Sequence, residues 1–156
     1  MCNIKKMTLS GLPKIKSVFV MSVASKLSLE TLTIRKCDKL EHIIVDIDNG
    51  SGGNNGGNNV FPKLKDLEVE YCTKLKYIFG HIDATDHHQN HNNEVTHFHL
   101  PALKCLKLRR LRRLVGMCTK HYCITLPLLT KVECSKVDFT SIGDFIVPNY
   151  SNKVPT

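Results

Sequence analysis

The densest run of potential metal ligands is a set of histidines: His81, His87, His88, His91, His97 and His99. Neutral imidazole is a common ligand for Zn²⁺, and either His87 or His88 has the spacing to share one ion with His91. His97 and His99, two apart, would present both rings on one face of a strand. No Cys-x-x-Cys pair or carboxylate pattern completes a coordination set, however, and the surrounding asparagines give the tract a low-complexity character. No metal and no other cofactor is expected. A second constellation, Cys118, His121 and Cys123, brings thiols near an imidazole. A Cys–His nucleophile needs a third group to orient the base, and no residue nearby in sequence supplies one. Asp46 and Asp48 stand beside a Gly/Asn tract, and the remaining acids alternate with apolar residues as solvent-facing positions do. The expectation is a protein that is not an enzyme.

Charge offers a third possibility. The formal net charge is +8, and Lys104, Lys107, Arg109, Arg110, Arg112 and Arg113 form its densest stretch. Such a balance raises nucleic acid or an anionic surface as a partner. The stretch contains no aromatic side chain on which a base would stack, and the chain has no tryptophan. The acidic run Asp66, Glu68 and Glu70 gives these cations another role. If the two segments are adjacent strands, Glu68 and Glu70 meet Lys107 and Arg109, each pair contributing roughly 0.2–1 kcal/mol.

The elements that position these residues are written in a spacing that returns four times. Ile4, Met7, Leu9, Leu12, Ile15 and Val18 stand at steps of three, two, three, three and three. Leu29, Leu32, Ile34, Cys37, Leu40 and Ile43 repeat it, as do Leu64, Leu67, Val69, Cys72, Leu75 and Ile78. Leu103, Leu106, Leu108, Leu111, Leu114 and Met117 repeat it again, and Leu129, Val132, Cys134 and Val137 begin a fifth copy that falters at Thr140. This is the L-x-x-L-x-L-x-x-[N/C] pattern of leucine-rich repeats. It predicts an α/β-type repeat solenoid, a right-handed superhelix with a short-stranded parallel sheet on its concave face and mostly loop or 3₁₀ turn on its convex face. Repeats start near residues 4, 29, 64, 103 and 129 within a domain over 1–145, and 146–156 form a tail. Two units are lengthened by insertions, 48–59 and 83–99, whose composition predicts mobile loops.

Within a unit such as 64–78, period two over Leu67 and Val69 predicts a half-buried strand, and period three from Cys72 to Ile78 predicts a 3₁₀ or extended return. Phe61-Pro62, Leu100-Pro101 and Leu126-Pro127 each precede a strand by the same distance, where proline favours an extended approach. Three of the seven cysteines, Cys37, Cys72 and Cys134, fall on inward positions and are expected to be buried free thiols, which suits a reducing compartment. No secretory leader is read at the start of the chain, and no apolar run reaches the ~20 residues that span a bilayer.

The form L-x-x-L-x-[LIV]-x-x-C-x-x-L-x-x-[IV], with phrases such as Phe61-Pro62-Lys63-Leu64-Lys65-Asp66-Leu67 and Leu75-Lys76-Tyr77-Ile78-Phe79, resembles the leucine-rich-repeat region of plant nucleotide-binding disease-resistance proteins. Within these it is most similar to the coiled-coil type of legumes. The chain has no P-loop motif, so the nucleotide switch of such proteins is absent from it. The resemblance implies an intracellular module, cytoplasmic or nuclear, acting in defence. Its partner would be a pathogen-derived or host protein, or the receptor's own nucleotide-binding domain. The expected contact residues are the outward strand positions Lys6, Thr8, Ser10, Thr31, Thr33, Arg35, Asp66, Glu68, Glu70, Lys107, Arg109, Lys131 and Glu133. The alternatives are a basic nucleic-acid or anionic-surface binder, and a receptor fragment without activity of its own. The terminal repeats leave apolar edges that predict self-association of the isolated chain.

Overall fold

The computed structural model describes residues 4–46, 58–81, 96–118 and 122–137. In chain order these carry β1 (Lys6–Ser10), β2 (Ser17–Val20), α1 (Met21–Ala24), β3 (Thr31–Arg35), β4 (His42–Asp46), β5 (Asn58–Asn59) and β6 (Asp66–Glu70). There follow β7 (Tyr77–His81), β8 (Thr96–His99), β9 (Cys105–Leu111), β10 (Gly116–Cys118), β11 (Tyr122–Thr125) and β12 (Lys131–Val137). Every pairing among them is parallel. The described chain is mostly parallel β-sheet with almost no helix.

The strands fall into three sheets, β1-β3-β6-β9-β12, β2-β4-β7-β10 and β5-β8-β11. Each successive unit of sequence adds its strands to the sheets in chain order. The reason lies in the spacing. In β3 Leu32 and Ile34 are fully buried between half-exposed Thr31, Thr33 and Arg35, and β6 and β9 repeat this with Leu67, Val69, Leu106 and Leu108. A unit of this kind has no partner for its apolar face except its neighbours. Buried side chains from all three sheets form one apolar cluster, and no polar or charged residue among those described is buried. The first unit is thinner: Met7, Leu9, Leu12, Ile15 and Val18 are only partly buried against that cluster.

β1, β3, β6 and β9 each lead into the second sheet through the same kind of corner. Gly11, Lys36, Tyr71 and Arg110 all have left-handed φ, between 48° and 69° with Phe61 included. The Gly11, Lys36 and Tyr71 amides donate to the carbonyls of Arg35, Glu70 and Arg109 on the next strand, at 3.0–3.1 Å. Non-glycine residues rarely take this conformation, so its recurrence at one place in four units is imposed by the stacking. Tight turns follow, with Leu40, Leu75 and Leu114 amides bonding the Cys37, Cys72 and Leu111 carbonyls.

Four features depart from the sequence reading. Of the two options for the return half the extended one holds: after a tight turn, Ser17–Val20, His42–Asp46, Tyr77–His81 and Gly116–Cys118 are strands of the second sheet, where the convex side is expected to be mostly loop or 3₁₀ turn. Ile43, Ile44 and Val45 are consecutive buried residues in β4, as are Ile78, Phe79 and Gly80 in β7. A parallel strand covered on both faces carries no period-two signal, which hid it. The ends of both insertions are strands rather than loop: Asn58–Asn59 pairs with Phe98–His99 in the third sheet. The prolines sit inside tight turns, since the Leu64, Leu103 and Leu129 amides bond the Phe61, Leu100 and Leu126 carbonyls. A ring-fixed φ suits the second position of such a turn as well as it suits extended chain. Finally, Cys134 is exposed, because β12 is the outermost strand of its sheet and no further unit covers it. Thr140, the tail, and segments 47–57 and 82–95 lie outside the described residues. No described helix is long and apolar enough to cross a membrane.

Candidate binding surface

Parallel pairing without slip converts the outward positions of five strands into three rows. The first is Lys6, Thr31, Asp66, Cys105 and Lys131; the second Thr8, Thr33, Glu68, Lys107 and Glu133; the third Ser10, Arg35, Glu70, Arg109 and Ser135. All thirteen residues expected from the sequence are here, on one face of one sheet. Two members of the face are not among the expected contact residues, Cys105 and Ser135. Cys105 breaks the polar alternation by residue type, and Ser135 sits in the faltering fifth copy, where only register could reveal it.

Arg109 organises the charges. Its guanidinium donates to Glu68 Oε2 at 3.3 Å and to Glu133 Oε1 at 3.4 Å, and stands 3.6 Å from Glu70 Oε1. One arginine thus draws carboxylates from the strands on both sides, which a planar fork of donors permits and an ammonium does less well. The expected pairing of adjacent strands is present, but Arg109 rather than Lys107 takes Glu68. Arg35 Nε approaches Glu70 Oε2 at 3.4 Å without hydrogen-bond geometry, so that contact is electrostatic only. Lys131 Nζ lies 3.1 Å from Glu133 Oε2. The hydrogen bond from Lys131 holds the Glu133 carboxyl below its ordinary range, and the same bond raises the lysine.

A depression of about 200 Å³ lies in this face, lined by Thr31, Thr33, Asp66, Leu67, Glu68, Cys105 and Lys107. Pockets for drug-sized ligands occupy about 300–1,000 Å³, so this one suits a single protruding side chain better than a free small molecule. The Cys105 thiol within it is pushed up, chiefly by desolvation and against the pull of Lys107 and Lys131. A nucleophilic thiol needs the opposite shift.

The other constellations are less assembled. His97 and His99 share the side of β8 away from buried Phe98, while His87, His88, His91 and His121 lie outside the described residues. Among the described residues no three His, Cys, Asp or Glu side chains group as metal ligands do. The Cys118 thiol is raised to about 11 by burial and by Cys123 nearby. Cys37 and Cys72 are fully buried free thiols. Cys72 is pushed up to about 12, mainly by burial, and its thiol donates to the Glu70 carbonyl at 3.6 Å. The arginine stretch is divided by register: Lys107 and Arg109 belong to the sheet face, and Arg110, Arg112 and Arg113 lie beyond the corner.

The chain matches no family model, no curated protein and no solved structure.

Proposed function

We propose that the chain is a leucine-rich-repeat solenoid whose five-stranded sheet forms the concave face and binds a protein partner. In this reading it is the recognition module of a plant immune receptor, working in the cytoplasm or nucleus. The partner is a pathogen-derived or host protein, or the nucleotide-binding domain of the same receptor. The supporting observation is the three-row face itself: fifteen outward positions in register, with charges pinned by Arg109. Paired charges in fixed places discriminate partners, since a wrong partner meets like charge or leaves a buried group unpaired. Five strands about 4.8 Å apart and about 3.3 Å per residue give a face near 19 by 16 Å. A stable interface buries about 800 Å² on each partner, so a tight partner also touches the edges of the sheet.

Photo-crosslinking tests this. A crosslinker placed at Thr33 and expressed in plant cells should yield a discrete protein adduct. Glu68→Lys with Glu70→Lys should abolish that adduct in protein that still unfolds cooperatively above the assay temperature, the broken contacts to Arg35 and Arg109 lowering the melting temperature by a few degrees. Adducts to nucleic acid or lipid alone, or a protein adduct indifferent to those charge reversals, would sink the proposal.

A further inference from the structure

Six residues separate the aligned third row of the first sheet from the start of the second sheet in each of four units: 11–16, 36–41, 71–76 and 110–115, the last beginning with the two end residues of β9. Both flanks are in register. Ser10, Arg35, Glu70 and Arg109 align on one side, and Ser17, His42, Tyr77 and Gly116 on the other. Connectors of equal length between aligned ends must stack position by position. The fourth position then reads Lys14, Lys39, Lys74 and Arg113, all exposed. Among the described residues no ion pair involves any of them. The flanking rows add Lys36 and Arg110 before it and Lys16 and Lys76 after it, and Arg112 stands beside Arg113. Only Asp38 and Glu41 oppose these nine cations, so the connectors hold a surplus of seven against a net +8 for the whole chain.

Stacking like charges costs free energy that the fold does not recover within this edge. An external anion would recover it. The row is narrow and straight, and at about 4.8 Å per strand its four charges span about 14 Å, the length of about four phosphates on a nucleic-acid strand. The corner row also supplies an aromatic. The Arg110 guanidinium lies 5.2 Å from the centre of the Tyr71 ring, and Tyr71 is 40% exposed. With the guanidinium over one face of the ring, an unpaired base adds to the stack on the outer side of that pair. The arginine stretch lacks such an aromatic in its own sequence; the neighbouring unit provides it. A membrane is less well matched, because Val115 is the one strongly exposed apolar side chain besides Tyr71 in these connectors, and interfacial binding needs a continuous apolar face.

We propose that this connector edge is a binding site for single-stranded nucleic acid, with Lys14, Lys39, Lys74 and Arg113 on the phosphates and Tyr71 with Arg110 on a base. The site is separate from the sheet face, and neither assignment depends on the other.

Fluorescence anisotropy with the full chain and a labelled polythymidylate of about 20 nucleotides is the test. Four phosphate contacts predict a slope of log affinity against log salt of about −3. Lys39→Glu with Lys74→Glu and Arg113→Glu should weaken binding at least tenfold, on the order of what three lost phosphate contacts cost. Lys26→Glu with Lys63→Glu and Lys104→Glu changes net charge equally at exposed positions elsewhere, and should stay within about twofold of the parent. Tyr71→Ala should cost about fivefold or more and leave the salt slope unchanged. Melting temperatures within a few degrees of the parent will confirm that all three variants fold; for any that does not, the Lys→Gln and Arg→Gln counterparts, or Tyr71→Leu, which keeps an apolar side chain and removes the ring, give the same comparison. Equal losses from both triple reversals would overturn the site, as would tighter binding to duplex or binding only to vesicles rich in phosphatidylserine.

Discussion

The sheet face and the connector edge are built from the same repeat and treat charge in opposite ways. On the sheet face five cations meet four acids, and Arg109, Arg35 and Lys131 each have a carboxylate within 3.6 Å. On the edge the fourth connector position is a cation in every unit, without an ion pair among the described residues. Alternating residue types across strands neutralise one surface, and repeating the same type charges the other. A stacked repeat multiplies whatever a single position carries. The residues between them decide how firmly the two surfaces are held: the buried row Cys37, Cys72 and Leu111 lies just beyond the left-handed corner.

That row offers the strongest way to break the comparison. Cys72→Lys should destabilise the chain by about 3 kcal/mol or more, because an unpaired ammonium replaces a buried thiol. Urea unfolding should show the loss, and both surfaces should become protease-sensitive together. Native-state thiol labelling gives the parent's counterpart: Cys37 and Cys72 should react far more slowly than exposed Cys134. Fast labelling of Cys72 would contradict the register.

Arg109→Ala is next. It leaves Glu68, Glu70 and Glu133 without their shared cation and should cost about 1 kcal/mol at low salt, a figure already reduced for an arginine side chain 38% exposed. The cost should shrink as salt rises. On the edge the sign reverses. Lys74→Glu puts an acid between Lys39 and Arg113 and should stabilise by roughly 0.2–0.5 kcal/mol at low salt. A destabilisation measured by urea titration would mean the row is not stacked as described.

The smallest effect comes from Glu133. Its folded-state pKa is lowered, first by the Lys131 hydrogen bond, so its contribution is present above the unfolded value and is lost as pH falls through the folded one. The window therefore lies below the ordinary 4.5 of a glutamate. Between pH 7 and 5 the stability of Glu133→Gln relative to the parent should stay constant, and the two should converge only in more acid solution. Convergence already near pH 6 would assign the effect to another group.

The outward strand residues were legible because a period of two tolerates no slip: moving one position would bury Glu68 and expose Leu67. Arg109's reach across two strands was not legible, since spacing fixes which residues are adjacent and not how far a side chain extends. The third sheet was hidden for a different reason. Its first strand is Asn58–Asn59, two residues of the type that ends an asparagine-rich tract, and only pairing with Phe98–His99 makes them a strand. The fourth connector row was written in the sequence all along. It was obscured because Lys104 to Arg113 look like one basic cluster until the corner at Arg110 separates them. Nothing in the sequence signals that Phe61 adopts left-handed φ, at 48°.

That Phe61 conformation has a consequence for how units of unequal length coexist. Six steps separate His99 from Cys105 and Thr125 from Lys131, but seven separate Asn59 from Asp66. Even so, Asn59 pairs with His99 and Asp66 with Cys105. The surplus residue is taken up at one point. Val60 takes the amide position of Leu100, bonding the His99 carbonyl as Leu100 bonds that of Thr125. Phe61 then swings its amide aside to the Ala24 carbonyl, and its ring packs edge-on against Phe19 at 5.2 Å. A length difference is thereby confined to a single residue instead of shifting the phase of every later strand. The one extra residue at this seam is accommodated by one backbone flip, whereas an extra residue inside Asp66–Glu70 would turn a polar face inward.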